Sequence, residues 1–445
     1  MMPFIMSAML SPAPVPALGS LFGFGRQVQP DRGHDRESGA GQAGAVERDD
    51  FSMKPAGGVM AREFPVKSRI AIHFPGYEPL NGAQHRERYA RSLAQSAATF
   101  GFSAQAGELV AGGFAPWFTV TAESDGWRTQ TRMHLLDHAD IIARQKDRPL
   151  AKRIVAGFGA FTETVSQGGL WAYFRNAWRF ALFFLFPFLY VAAAMAAALG
   201  LASSPLWAGF SPLWLCVSIP VAAFAFLRGF IPFSERLHTL HLFADWELAI
   251  ALARLADPGV NARIKEMSEA LSGVFREDAD EHLITSHSMG GAFVLHALGG
   301  LLERDPLALA GRRITLVTLG GPGHQVSLLS KATALRRRIG LVLAHPHIEW
   351  IDMQCLTDIC TFYGARIAHD TGHAGLKEPL VQRIRMKTMI TPERYARIKR
   401  DFLRVHRQFV LGSDRVSRFD FQVMTAGPNR AGIFAMTTED KPAPL

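Results

Sequence analysis

The stretch Ser286-His287-Ser288-Met289-Gly290-Gly291 lies between two apolar runs, "LIT" and "AFVLHAL". Two hydroxyls, an imidazole and paired glycines suit nucleophilic catalysis at a sharp strand-to-helix turn. Such a turn is so tight that the residues two before and two after the nucleophile must be small. Around Ser288 those residues are Ser286 and Gly290. Taking Ser286 as the nucleophile would put Ser288 at the downstream small position and lose the glycine, so Ser288 is the better choice. The helix that follows would aim its N-terminal dipole at negative charge developing beside the Ser288 hydroxyl. The backbone N–H of Met289 is then a natural oxyanion donor.

The segment "SHSMGGAFVLHAL" resembles the nucleophile elbow of the α/β-hydrolase superfamily, and "AIHFPGYEP" is similar to that superfamily's first oxyanion segment. The resemblance covers about 69–127 and 240–411. It departs from the usual pattern at Ser286, where glycine is the common residue. The resemblance implies acyl transfer from an ester or thioester, to water or less often to another acceptor. It also implies a second oxyanion donor after the early strand. Pro75 has no N–H, so Tyr77 takes that role.

The resemblance further implies the chain order nucleophile, acid, histidine. The acid is expected just past the strand "HIEWIDMQ", where Asp358 fits best and Asp352 is the alternative. Three histidines follow: His369, His373 and His406. "VHRQFVLG" is similar to a His-x-x-aromatic segment near the end of lipase-like members, which favours His406 as the base. One feature opposes it. Tyr395, Ile398, Phe402, Val405 and Phe409 have helical spacing, and a helix running unbroken through His406 would make that residue a surface group. His73 and His287 read as local hydrogen-bonding residues. The pairs in "HTLHLF" and "HPHIEW" lack a supporting carboxylate motif. No metal or cofactor is expected, because no phosphate-loop motif and no zinc-ligand spacing occurs.

The elements around these residues read as strands alternating with helices. "RIAIHF" and "PWFTVTAESDGW" flank the amphipathic "AQHRERYARSLAQSAATFGF". "EHLITSH", "RRITLVTL", "HIEWIDMQ" and "QRIRMKTMI" are later strands, and "SKATALRRRIGLVLAHP" is a basic helix. Thr391 and Pro392 open the helix that carries Tyr395 and Ile398. The expected fold class is α/β: a mainly parallel sheet with helices on both faces, interrupted by a two-helix hairpin.

That hairpin comes from a 48-residue run, Phe180 to Leu227, without Asp, Glu, Lys, Arg or His. It is long enough for two spans of about 20 residues each, placed near 180–201 and 207–227. Arg175 and Arg179 precede it and Arg228 and Arg236 follow it, while the connecting loop is uncharged. Positive-inside bias therefore puts both termini and the catalytic domain in the cytoplasm, at the inner membrane in a bacterium. Three sparse cysteines, Cys216, Cys355 and Cys360, give no disulfide framework and agree with a reducing compartment. The formal charge of +9 gathers partly at Arg336–Arg338 and Arg312–Arg313, which suit an anionic lipid surface. No nucleic-acid-binding module is present to use that charge.

The expected division is 1–60, a poorly ordered Pro- and Gly-rich segment; 61–178, the first part of the hydrolase domain; 179–228, the hairpin; 229–430, the second part; and 431–445, a tail. The expected activity is that of a membrane-anchored serine hydrolase. It would cleave an apolar or lipid-like acyl ester or thioester through Ser288, Asp358 and His406. A noncatalytic scaffold on the same fold, and an acyltransferase using the same triad, are the alternatives.

Overall fold

The structure is a computed structural model and describes residues 65–436 except 113, 114 and 322. The expected disordered segment 1–60 lies outside the described residues. Eight strands form one sheet: β1 Ser68–Phe74, β2 Ser103–Ala106, β3 Trp117–Ser124, β4 Trp127–Leu135, β5 Glu281–His287, β6 Ile314–Leu319, β7 Ile348–Cys355 and β8 Leu380–Ile384. Their spatial order is β2-β3-β4-β1-β5-β6-β7-β8. The pairs β2–β3 and β3–β4 are antiparallel, and every pairing from β4–β1 through β7–β8 is parallel. The sheet is thus mixed, with a long parallel part and an antiparallel edge.

Successive side chains in a strand point to opposite faces. Ile70, Ile72, Ile284, Leu316 and Trp350 pack into one apolar cluster, while Ala71, Leu283, Val317 and Ile351 pack into another. Helices cover both. The first face carries the helices Pro258–Val274, Gly290–Arg304 and Thr333–Ala344. The second carries Gly82–Phe100 and Phe421–Ala426. Helix Gly82–Phe100 starts at a capping box. Asn81 accepts from the Gln84 N–H, the Gln84 side chain accepts from the Asn81 N–H, and the helix ends at Gly101 with φ of 77°.

The parallel register brings the chemistry to one edge. Phe74 pairs with Ser286, His287 with Leu319, and Leu319 with Met353. The loops after β1, β5, β6 and β7 therefore leave the sheet side by side. In parallel α/β sheets this carboxyl end is where ligands bind.

Two helices, Gly169–Trp207 and Pro212–Glu235, are long and apolar enough to cross a membrane. They begin and end outside the expected 179–228 limits. The first is kinked at Ala177, whose φ and ψ are −156° and 75°. Its early turns are not free: Tyr173, Phe180, Phe183, Phe184, Phe188 and Val191 are buried along one stripe against the body. Beyond Val191 most large apolar side chains are exposed, among them Leu199, Trp207, Phe210, Leu213, Val217 and Phe224. The Ser218 hydroxyl donates to the Ala202 carbonyl and ties the two helices together.

The end of the described chain and the arginine clusters both make defined contacts. Residues 431–436 are not tail: Ala431 and Phe434 are buried, and the Ala431 N–H donates to Glu281 at 2.7 Å. The arginine clusters largely serve internal contacts. Arg337 and Arg338 pair with Glu303 at 2.7 and 2.9 Å. Arg336 donates to the Ser327, Leu329 and Ser330 carbonyls, and Arg312 to those of Arg276 and Glu277. These groups join neighbouring segments before any lipid is considered.

Candidate active site

Strand β5 is buried throughout and turns at Ser288 into helix Gly290–Arg304. Ser288 has φ of 53°, the left-handed region that a side chain adopts at a cost of about 1–3 kcal/mol. The turn is held by the Ser288 N–H donating to the Leu319 carbonyl at 3.0 Å, and by the Gly291 N–H donating to the Ser288 carbonyl at 2.9 Å. The small neighbours have distinct reasons. A Cβ on Gly290 would lie 2.2 Å from the Phe74 carbonyl oxygen, so only glycine fits. Ser286 is fully buried and its hydroxyl has no partner among the described residues, which marks its size as the property in use.

The segment after β1 passes directly over the turn. A Cβ on Gly76 would stand 3.0 Å from Ser288 Cβ and 2.9 Å from His287 Nδ1. That contact sets Tyr77 beside Ser288. The Tyr77 ring packs edge-on against His241, and its hydroxyl donates to Gln145 at 2.8 Å. Tyr77 and Met289 line the same cavity as Ser288.

The single unbroken helix that would have made His406 a surface group does not form. One helix covers Pro392–Ile398 and a second covers Phe402–Arg407. Asp401 stands between them as N-cap and accepts from the Arg404 N–H at 3.1 Å. The break turns His406 inward. Its Nδ1 lies 2.7 Å from an Asp358 carboxylate oxygen, and its Nε2 is buried with no partner among the described residues. Gly320, after β6, makes room for the ring: φ is 71° there, and a Cβ would stand 2.8 Å from His406 Cε1.

Asp358 is buried and acts only as an acceptor. One oxygen takes the Cys360 N–H at 3.0 Å; the other takes the Thr361 hydroxyl at 2.6 Å and His406 Nδ1–H. This fixes the tautomer that leaves the Nε2 lone pair free. The alternatives lie elsewhere. Asp352 is in mid-strand, taking the Thr318 hydroxyl and the Gln354 amide at 2.8 Å each. His373 Nε2 donates to the Arg336 carbonyl at 2.8 Å, and half-exposed His369 pairs with Asp370. His287 Nε2 donates to the His406 carbonyl at 3.1 Å, and burial, with His406 nearby, holds its pKa well below the usual histidine range.

Among the described residues, one set of His, Cys and carboxylate groups comes within metal-ligating reach: Asp358, Cys360 and His406. Two bonds of about 2.0 Å at a tetrahedral angle need roughly 3.3 Å between the ligand atoms. Asp358 and His406 are at 2.7 Å, the distance of a direct hydrogen bond.

Ser288 and His406 face one cavity of about 50 Å³, whose lining also includes Phe180, Phe183 and Leu403. That volume holds a few waters, so a long acyl chain needs more room than the cavity itself offers. No family model, curated protein or solved structure matches the chain. The geometry alone therefore carries the reading.

Several cavity residues had no sequence signal. Both oxygens of Glu78 accept from Arg88 Nη1 and one meets Arg407 Nε at 3.1 Å, linking the segment after β1 to the helix of His406. Asp245 lines the cavity from helix Thr239–Arg254 and accepts from Gln325 Nε2 at 3.0 Å. Burial pushes its pKa up to about 6, against the opposing pull of Gln325 and His406. Below about pH 4 the group is protonated in folded and unfolded chains alike. Between about 4 and 6 the unfolded chain releases the proton first, so folding stability falls as pH rises, and above 6 the loss is complete. Asp245→Asn removes this loss. Denaturation at pH 4.5 and 7.5 is expected to show the variant gaining on wild type at the higher pH. An equal difference at both values would show that the carboxyl does not titrate in this window.

Proposed function

We propose that the chain is a membrane-anchored serine hydrolase of α/β-hydrolase type that cleaves an acyl ester or thioester. One observation carries this reading: a buried Asp358–His406 pair leaves its Nε2 lone pair open to the cavity that also holds Ser288 on a left-handed strand-to-helix turn. Ser288 Oγ attacks the carbonyl carbon while its proton passes to His406 Nε2. Asp358 holds Nδ1–H and stabilises the imidazolium. The oxyanion takes hydrogen bonds from the Met289 and Tyr77 N–H groups. Collapse breaks the bond to the leaving oxygen or sulfur, which receives the proton from His406. Water, activated by the same Nε2, then releases the acid and restores Ser288. No Ser288–His406 hydrogen bond exists in the present state; such bonds commonly tighten only around substrate.

The membrane part of the proposal is supported by the two long apolar helices and their arginine-flanked ends. The flanks favour a cytoplasmic catalytic body, and an apolar, lipid-like acyl group suits a cavity walled by phenylalanines from the first of these helices. A fluorophosphonate probe tests the chemistry. Detergent-solubilised wild type is expected to label covalently and Ser288→Ala to give no labelling. Equal labelling of both, or none in folded wild type, would remove the hydrolase reading and leave a noncatalytic role.

A further inference from the structure

Next to the catalytic cavity is a second and larger one, an open groove of about 630 Å³. This is within the usual size range of a small-ligand cleft. Its lining includes Arg88 and Arg91 from helix Gly82–Phe100, Arg394 from helix Pro392–Ile398 and Arg407 from helix Phe402–Arg407, with Glu78 as the one carboxylate. Glu78 and Arg407 line both cavities, so the groove begins at the wall of the catalytic site. Arg407 is the residue after His406.

The charges do not cancel. Glu78 bonds with Arg88 and Arg407, Glu87 with Arg91, and Asp414 with Arg394 at 2.9 Å. Four guanidinium groups against three carboxylates leave one positive charge in excess. Donors are also unused. Among the described residues, Arg407 meets Glu78 through Nε alone, which leaves its two terminal nitrogens open, and Arg91 uses only Nη1, toward Glu87 on its own helix. Arginines converging from three helices offer the planar, multi-donor surface that recognises phosphate oxygens better than any other side chain.

We propose that this groove receives a phosphate group borne by the acyl substrate, so that the scissile carbonyl reaches Ser288 while the anion rests on Arg91, Arg394 and Arg407. The phosphate could belong to a lipid head group or to a water-soluble acyl carrier; both present the same oxygens. The kinetic half rests on the serine-hydrolase reading, but the binding half does not.

The test uses the full chain in an uncharged detergent. Inorganic pyrophosphate is titrated calorimetrically into wild type, Ser288→Ala and the double variant Arg91→Gln/Arg394→Gln. Wild type and Ser288→Ala are expected to bind alike, and the double variant to bind about tenfold more weakly or worse. Arg91→Gln alone guards against misfolding, because its side chain is two-thirds exposed and paired only within its helix; it should lose part of the affinity and melt as wild type does. In the kinetic arm, KM is measured for a micellar acyl lipid with a phosphomonoester head group, for a water-soluble acyl ester of glycerol 3-phosphate, and for uncharged analogues of both. The ratio of KM for phosphate-bearing over uncharged substrate should rise about tenfold in the double variant. A rise with the lipid alone assigns the phosphate to a head group, and a rise with both assigns it to any source. Absence of pyrophosphate binding by wild type, or equal binding by the double variant, overturns the proposal even if fluorophosphonate labelling is intact. Binding without labelling would instead spare the groove and remove the hydrolase chemistry.

Discussion

Asp358→Asn is expected to lower kcat on a soluble nitrophenyl ester by about four orders of magnitude while the protein stays folded. The reason is the set of partners around the carboxylate. Both oxygens only accept: one from the Cys360 N–H, the other from the Thr361 hydroxyl and His406 Nδ1–H. An asparagine there has two orientations. With its carbonyl toward Cys360, its NH2 faces Nδ1, which must then carry the lone pair. The proton moves to Nε2, and the imidazole can no longer take one from Ser288. With the amide reversed, two donors meet at the Cys360 N–H. The first orientation avoids that clash, so the tautomer inverts. Asp352→Asn serves as the comparison, since that carboxylate bonds Thr318 and Gln354 and not the histidine. A kcat for Asp358→Asn within about tenfold of wild type would show that this carboxylate does not orient the base.

Arg69→Met is expected to cost about 3–5 kcal/mol of stability. Arg69 is almost fully buried at the start of β1, and its Nε meets Glu281 at 2.6 Å across to β5. Its other nitrogens donate to the Thr425, Gly427 and Asn429 carbonyls, so one side chain gathers β1, β5 and the C-terminal segment. Removing it strands a buried carboxylate as well as three acceptors. Burying an unpaired charge is the expensive part, so Arg69→Met/Glu281→Leu should recover much of the loss. Melting in detergent gives the measurement. The surviving folded single variant should label at the wild-type rate, because Arg69 is at the opposite end of β1 from Tyr77. If the single variant melts with wild type, the pair does not hold the sheet.

These two residues also mark how far the sequence could be read. Strand β1 was legible from its alternation, but a buried arginine at its first turn was not. Its partner Glu281 is 212 residues away, a separation that only the β1–β5 pairing closes. Strand β4 escaped notice for a related reason. Its inward residues include Thr129 and Thr131, which reach the core by donating to the Val66 and Thr425 carbonyls, so the strand lacks apolar alternation. The turn around Ser288 was legible because its backbone demands small residues at fixed offsets. His406 was harder. Apolar spacing continues across the break at Asp401, because Tyr395 and Ile398 rest partly buried on the same cluster as Val405 and Phe409, while Phe402 packs on the other. The capping carboxylate was the available clue. Glu78 and Asp245 acquire meaning only from neighbours that folding supplies.

The first apolar helix has a consequence for kinetics. Phe183 walls the cavity and Trp207 stands at the far end of the same helix, about 36 Å away at roughly 1.5 Å per residue. The cavity wall and the apolar tip are therefore parts of one rod. On the proposed function, with the rod seated in a bilayer, its depth would set the height of Ser288 and encounters with a lipid-like substrate would take place in two dimensions. Turnover is then expected to follow the mole fraction of substrate in the surrounding lipid, and inert lipid added at constant total substrate to slow the reaction by spreading the same molecules over more area.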